Sequence, residues 1–109
     1  MKAFINGELL ADKIILADKY TTRLVGLLNK KNLNEGEGLL LKNCSSIHCF
    51  FMKFTIDAIY LSKDMQVIYI ETVKPWRIGK IVKNCAHVLE ISEGEANDIS
   101  VGDFIEFLE

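Results

Sequence analysis

Proline is nearly missing from this chain of 109 residues: Pro75 is the only one, and the single tryptophan, Trp76, stands beside it. Half of the residues are hydrophobic and mean hydropathy is +0.18. That excludes a disordered or proline-rich extended protein, which would bury too little apolar surface to offset the entropy of ordering. A basic excess is missing too. Thirteen Lys/Arg face 15 Asp/Glu, for a formal net charge of -2 and a pI near 5.7. The broad basic footprint of a nucleic-acid binder is therefore absent, and no nucleic-acid partner is expected. The local exception is Lys74, Arg77, Lys80 and Lys83, which fall within ten residues. They read as a solvated loop and strand face, with a polyanion site as the alternative.

Long apolar runs are also lacking. Nothing approaches the ~18 residues of a transmembrane helix. The opening MKAFINGELLADK has neither the apolar core nor the small-residue cleavage site of a signal peptide, so the expected location is cytoplasmic. Cys44, Cys49 and Cys85 make an odd count, which fits unpaired thiols in a reducing compartment. Together with His48 and His87 they match no CxxC or HxxxH spacing, so neither a metal nor a cofactor is expected. An apolar strand setting raises a thiol pKa, which argues against Cys49 as a nucleophile. No phosphate-binding glycine loop, dinucleotide fingerprint, serine elbow or EF-hand loop occurs.

What is present is a sequence for one domain spanning 1–109, with no repeat or linker. KAFI turns at Asn6-Gly7, a hairpin signal, into a second strand read as Glu8 to Leu16. Asp18 is a candidate N-cap for an amphipathic helix over about 18–29, with Tyr20, Leu24, Leu27 and Leu28 on one stripe. GLLLK reads as a strand, and Ser46 to Leu61 as two core strands with a bend near Lys53 to Thr55. Lys63-Asp64 turns into Gln66–Val73, which Pro75 ends. Short strands are expected near Lys80–Val82 and Ala86–Ile91, a turn or single helical turn between Ser92 and Ile99, and a closing strand Phe104 to Leu108. The predicted fold is α+β and β-rich: a small curled or barrel-like, mainly antiparallel sheet of about seven or more short strands with one helix.

These segments resemble domain-of-unknown-function family 192. Arg23-Leu24-Val25-Gly26-Leu27-Leu28 is similar to that family's arginine-x-x-glycine-leucine-methionine helix, with Leu28 where methionine is usual. The run from Ile47 to Asp57 resembles its aromatic and methionine segment ending in isoleucine-aspartate. Lys74-Pro75-Trp76 resembles its proline loop, and Val88-Leu89-Glu90-Ile91, Gly94 and Gly102-Asp103 its closing positions. The resemblance implies a fold and a set of polar positions but no agreed activity. It also implies that many relatives are exported or lipid-anchored, which this chain's lack of a signal sequence does not match.

Five residues are candidates for a ligand-binding pocket or rim: Arg23, His48, Asp57, Trp76 and Glu90. Asp57 and Glu90 are carboxylates inside apolar strands, where each needs partners or loses its charge. Each is either a structural carboxylate, bonded to turn amides or to Arg23, or a binding or catalytic group. His48 is a core or rim histidine or a ligand contact, and Trp76 a cap on the sheet or a recognition aromatic. The sequence thus points to a small non-enzymatic binding or accessory module for an unidentified small ligand or protein partner. The alternatives are a small hydrolase with Asp57 or Glu90 as general base, and a structural accessory of an envelope or secretion assembly.

Overall fold

The computed structural model describes residues 1–17, 33–45, 54–75 and 77–109. Eight strands follow in order: β1 (Lys2–Ile5), β2 (Glu8–Ala11), β3 (Lys13–Ala17), β4 (Glu37–Lys42), β5 (Ile56–Leu61), β6 (Val67–Val73), β7 (His87–Ser92) and β8 (Ile105–Leu108). Among the described residues every regular element is a strand. The helix expected over 18–29 lies outside them, as does the first of the two core strands expected in 46–61.

Asn6 and Gly7 both take positive φ, 51° and 80°, so a two-residue type I′ turn joins β1 to β2 with Ile5 opposite Glu8. The expected strand from Glu8 to Leu16 is broken at Asp12. The amides of Asp12 and Lys13 both donate to the Gly36 carbonyl, at 3.1 and 2.9 Å, instead of continuing a ladder. The chain therefore leaves one sheet as β2 and enters another as β3.

That bend corrects the expectation of one curled sheet. The strands form a three-stranded sheet, β2-β1-β8, and a five-stranded sheet, β3-β4-β7-β5-β6. All neighbours are antiparallel except β3 and β4, which are parallel. Backbone bonds stitch the sheets at two seams: Ile14 N–H to the Met1 carbonyl, and Val67 N–H to the Asp103 carbonyl beside a Gln66–Phe104 bridge. The strand expected at Lys80–Val82 is also absent. Its amides are diverted, that of Lys80 to the Glu71 carboxylate and that of Val82 to the Ser45 carbonyl.

Side-chain alternation gives the five-stranded sheet two apolar faces. The inner face, with Leu40, Ile59, Leu61, Leu89 and Ile91, packs on Ala3, Ala11 and Ile105 of the three-stranded sheet. The outer face carries Leu39, Leu41, Ala58, Tyr60 and Val88, with Phe54, Tyr69 and Val82 against them. Every residue of β5 is buried, as expected for a strand apolar on both sides. Gly38 on β4 lies where a Cβ would meet Ile14 Cδ1 at 2.6 Å and the Glu90 carbonyl at 3.0 Å, so the strands close only around a residue without a side chain.

Candidate functional site

Asp57 occupies the inner face of β5, between Ile56 and Ala58, and is 3% exposed. Burying a carboxylate costs several kcal/mol unless hydrogen bonds replace its water, on the order of 1–3 kcal/mol per donor to a charged group. Three donors do so. Thr72 Oγ1, directly across the ladder, donates to Oδ1 at 2.8 Å. The amides of Gly94 and Ala96 donate to Oδ2 at 2.9 and 3.2 Å. Gly94 sits at φ +92° in the turn that leaves β7, whose backbone is further tied by Asn97 N–H to the Gly94 carbonyl and Ile99 N–H to the Ala96 carbonyl. Asp57 thus clamps the turn 93–98 onto β5.

Glu90, 2% exposed, is equally buried but faces the other way. On β7 it alternates with Leu89 and Ile91, which are inner, and it pairs in register with Leu39 and Ala58, which are outer. Asp57 and Glu90 therefore project from opposite faces of one sheet and share no pocket wall. Glu90 belongs instead to an outer-face row that runs Leu39, Glu90, Ala58, Glu71 across four strands. Beside that row Tyr60 donates its hydroxyl to Glu71 Oε2 at 2.5 Å, and the Lys80 amide donates to the same oxygen at 2.9 Å. Burial, then the Glu71 hydrogen bond and charge, then Cys85 and Glu90, push the Tyr60 hydroxyl far above its ordinary range, so it remains a donor. The Tyr60 and Tyr69 rings meet at 5.6 Å between centroids, and Lys80 Nζ lies 5.3 Å over Tyr69.

Arg23, His48 and Trp76 lie outside the described residues, and so does the choice of carboxylate for Arg23. The other histidine, His87, begins β7. Its Nδ1 accepts the Asn43 amide at 3.2 Å, and burial and then the Lys42 charge hold its pKa below the ordinary 6.5. Cys44 and Cys85 are both partly buried. The Cys85 thiol donates to the His87 carbonyl at 3.1 Å and is pushed up by burial, which leaves it a poor nucleophile. Among the described residues no three His, Cys, Asp or Glu side chains converge as metal ligands.

Among the described residues a concave surface lies over the turn that Asp57 holds. A cleft of about 370 Å³ is walled by Ile5, Leu9 and Leu10 of the β1–β2 hairpin and by Ile99, and four acidic residues, Glu8, Glu35, Glu95 and Asp98, line it. Glu95 is the best defined of these. Its Oε1 accepts the Gly36 amide at 3.1 Å, while Oε2 is buried with no hydrogen bond. Burial raises its pKa, the Gly36 amide partly offsets this, and the Glu35 and Asp57 charges add to the rise. Sequence reasoning passed over all four acids. Each stands in a polar stretch like any surface acid, and no periodicity links positions 8, 35 and 95–98.

A comparison with known proteins agrees with this architecture. The chain is similar, at 32% identity over 105 residues, to a UPF0127 protein of Thermococcus kodakarensis, covering 91% of this chain and 67% of that one. It is 30% identical over 104 residues to a UPF0127 protein of Pyrococcus abyssi, covering 88% and 86% of the two. A crystal structure of a protein of unknown function from Novosphingobium aromaticivorans superposes with a TM-score of 0.81 at 19% identity, covering 97% of this chain and 84% of that one, a likeness of fold. The family model for domain-of-unknown-function family 192 (DUF192), described as "Uncharacterized ACR", matches residues 1–107. This chain belongs to that uncharacterised family.

Proposed function

We propose that this protein is a small binding module, and that its ligand site is the acidic cleft beside the β1–β2 hairpin. The observation that carries the reading is that Glu8, Glu35, Glu95 and Asp98, from three separate stretches of chain, line one cleft with aliphatic walls. Such a cleft is near the small end of ligand pockets, roughly 300–1,000 Å³, and suits one small molecule or one side chain. Acidic groups over Ile5, Leu9, Leu10 and Ile99 match an aliphatic cation, with an ammonium or guanidinium at the carboxylates and methylenes on the apolar wall. Asp57 enters as the residue that positions the turn bearing Glu95 and Asp98. The helix expected over 18–29 and the rim residues Arg23, His48 and Trp76 complete the module in this reading.

The enzymatic alternative is favoured by one observation. Glu95 lines a cleft with a raised pKa, as a general acid or base would. It moves the candidate proton carrier away from Asp57, whose oxygens are already bonded, and from Glu90 on the other face.

The test is an amide NMR titration with butylamine and agmatine as probes and butanol as the uncharged control. The expected result is saturable shifts at Gly36, Glu95 and Ile99 with the amines, absent with butanol and weakened in Glu95→Gln/Asp98→Asn. Equal responses to butanol, or none at the cleft, would remove this reading.

A further inference from the structure

The connection from β6 to β7 contains Lys74, Arg77, Lys80 and Lys83 and not one of the chain's 15 acidic residues. It also holds the two most exposed large hydrophobic residues among those described, Ile81 at 83% and Ile78 at 66%. Exposed hydrophobic residues are ordinary when they stand singly. Others on this protein keep acidic company: Leu9 follows Glu8, and Phe104 and Leu108 are set among Asp103, Glu106 and Glu109.

Ile81 is held out by its neighbours. Arg77 N–H bonds back to the Lys74 carbonyl at 3.2 Å. Lys80 is pinned by its amide to Glu71, with its ammonium over Tyr69. Val82 is pinned by its amide to Ser45 and packs into the outer-face core. Ile81, between two anchored residues whose contacts run into the fold, is left outward. A loop tied at Lys80 and Val82 presents its apolar side chains without first having to order itself.

The geometry points to this connection as a docking element for an anionic bilayer surface. Cations draw the loop to negative headgroups, and each adds modestly at such a surface. Cations alone would equally suit nucleic acid, but two exposed branched aliphatic side chains beside them suit the boundary of acyl chains. At a bilayer Ile78 and Ile81 enter the boundary between headgroups and acyl chains, and the two signals together give reversible peripheral attachment. No helix of the described residues is long and apolar enough to cross a membrane.

The experiment is co-sedimentation of the full chain with phosphatidylcholine vesicles that contain or lack phosphatidylserine, at low and high salt. The expected result is binding only to the phosphatidylserine vesicles, weakened by salt and by about fivefold in Lys83→Ser. Ile78→Ser/Ile81→Ser should abolish it while the far-UV spectrum and melting temperature stay unchanged. Three results would each overturn the proposal. One is no binding to anionic vesicles. Another is equal binding to phosphatidylcholine alone. The third is vesicle or oligonucleotide binding that is indifferent to the two isoleucines, which would make the loop a simple polyanion patch.

Discussion

Asp57 and Glu95 are close enough for one charge to raise the other's pKa, yet the fold handles these two carboxylates in opposite ways. Asp57 receives three donors on its two oxygens and lies under the turn. Glu95 rides on that turn, keeps one donor, and faces a cleft with three further acids. A carboxylate with filled hydrogen-bond sites is a strut, because any change of partner costs the bonds it already has. A carboxylate with a spare oxygen and a raised proton affinity remains available to a ligand or a proton.

The largest effect that could break this contrast is at Asp57. In Asp57→Asn an NH₂ replaces the acceptor facing Thr72 Oγ1, and the buried turn amides of Gly94 and Ala96 lose their charged partner. Destabilisation by about 3 kcal/mol is expected in urea unfolding, with the slope of the transition unchanged. A variant as stable as the parent would mean that Asp57 is no strut. Thr72→Val removes only the donor at the sheet edge and should cost about 1 kcal/mol or less, which separates the side-chain bond from the turn amides.

Glu95→Gln should change stability at neutral pH least, by about 0.5 kcal/mol, and in the stabilising direction. The sign follows from linkage. The folded state holds the Glu95 proton more tightly than the unfolded chain does, so Glu95 weakens the fold as pH rises from its ordinary 4.5 towards its raised folded value. Acidification through that window regains the stability, and Glu95→Gln should flatten this component. His87 acts oppositely. With its pKa held below 6.5, it contributes stability at higher pH that is lost as pH falls below 6.5. The difference curve between parent and Glu95→Gln, measured by thermal unfolding across pH 4 to 7, isolates the glutamate. A flat difference curve would place Glu95 with Asp57 as a structural acid.

Much of the strand layout was legible. Asn6-Gly7 announced its hairpin because only residues tolerant of positive φ fit both positions of a type I′ turn. Lys63-Asp64, Pro75 and Gly102-Asp103 likewise marked the ends of β6 and the start of the closing strand. The break at Asp12 was not legible, since its cause is the carbonyl of Gly36. Residues Lys80–Val82 carry two β-branched side chains, as a strand would, but the partners of the Lys80 and Val82 amides are Glu71 and Ser45. Asp57 was conspicuous for the right physical reason, a charge in an apolar run. The cleft acids were inconspicuous because an acid on a polar segment is ordinary until folding gathers four of them.

The sequence by itself determined the β-rich character, the turns and the need of Asp57 and Glu90 for partners, because these depend on neighbouring residues and on the cost of burying charge. Tertiary structure alone decided that those two acids point apart. Alternation fixes a side chain's face only relative to its own strand, and the register between β5 and β7 sets one strand's faces against another's. Tertiary structure also supplied the donors to Asp57, the convergence at Glu95 and the anchors that hold Ile81 outward, since each joins residues distant along the chain.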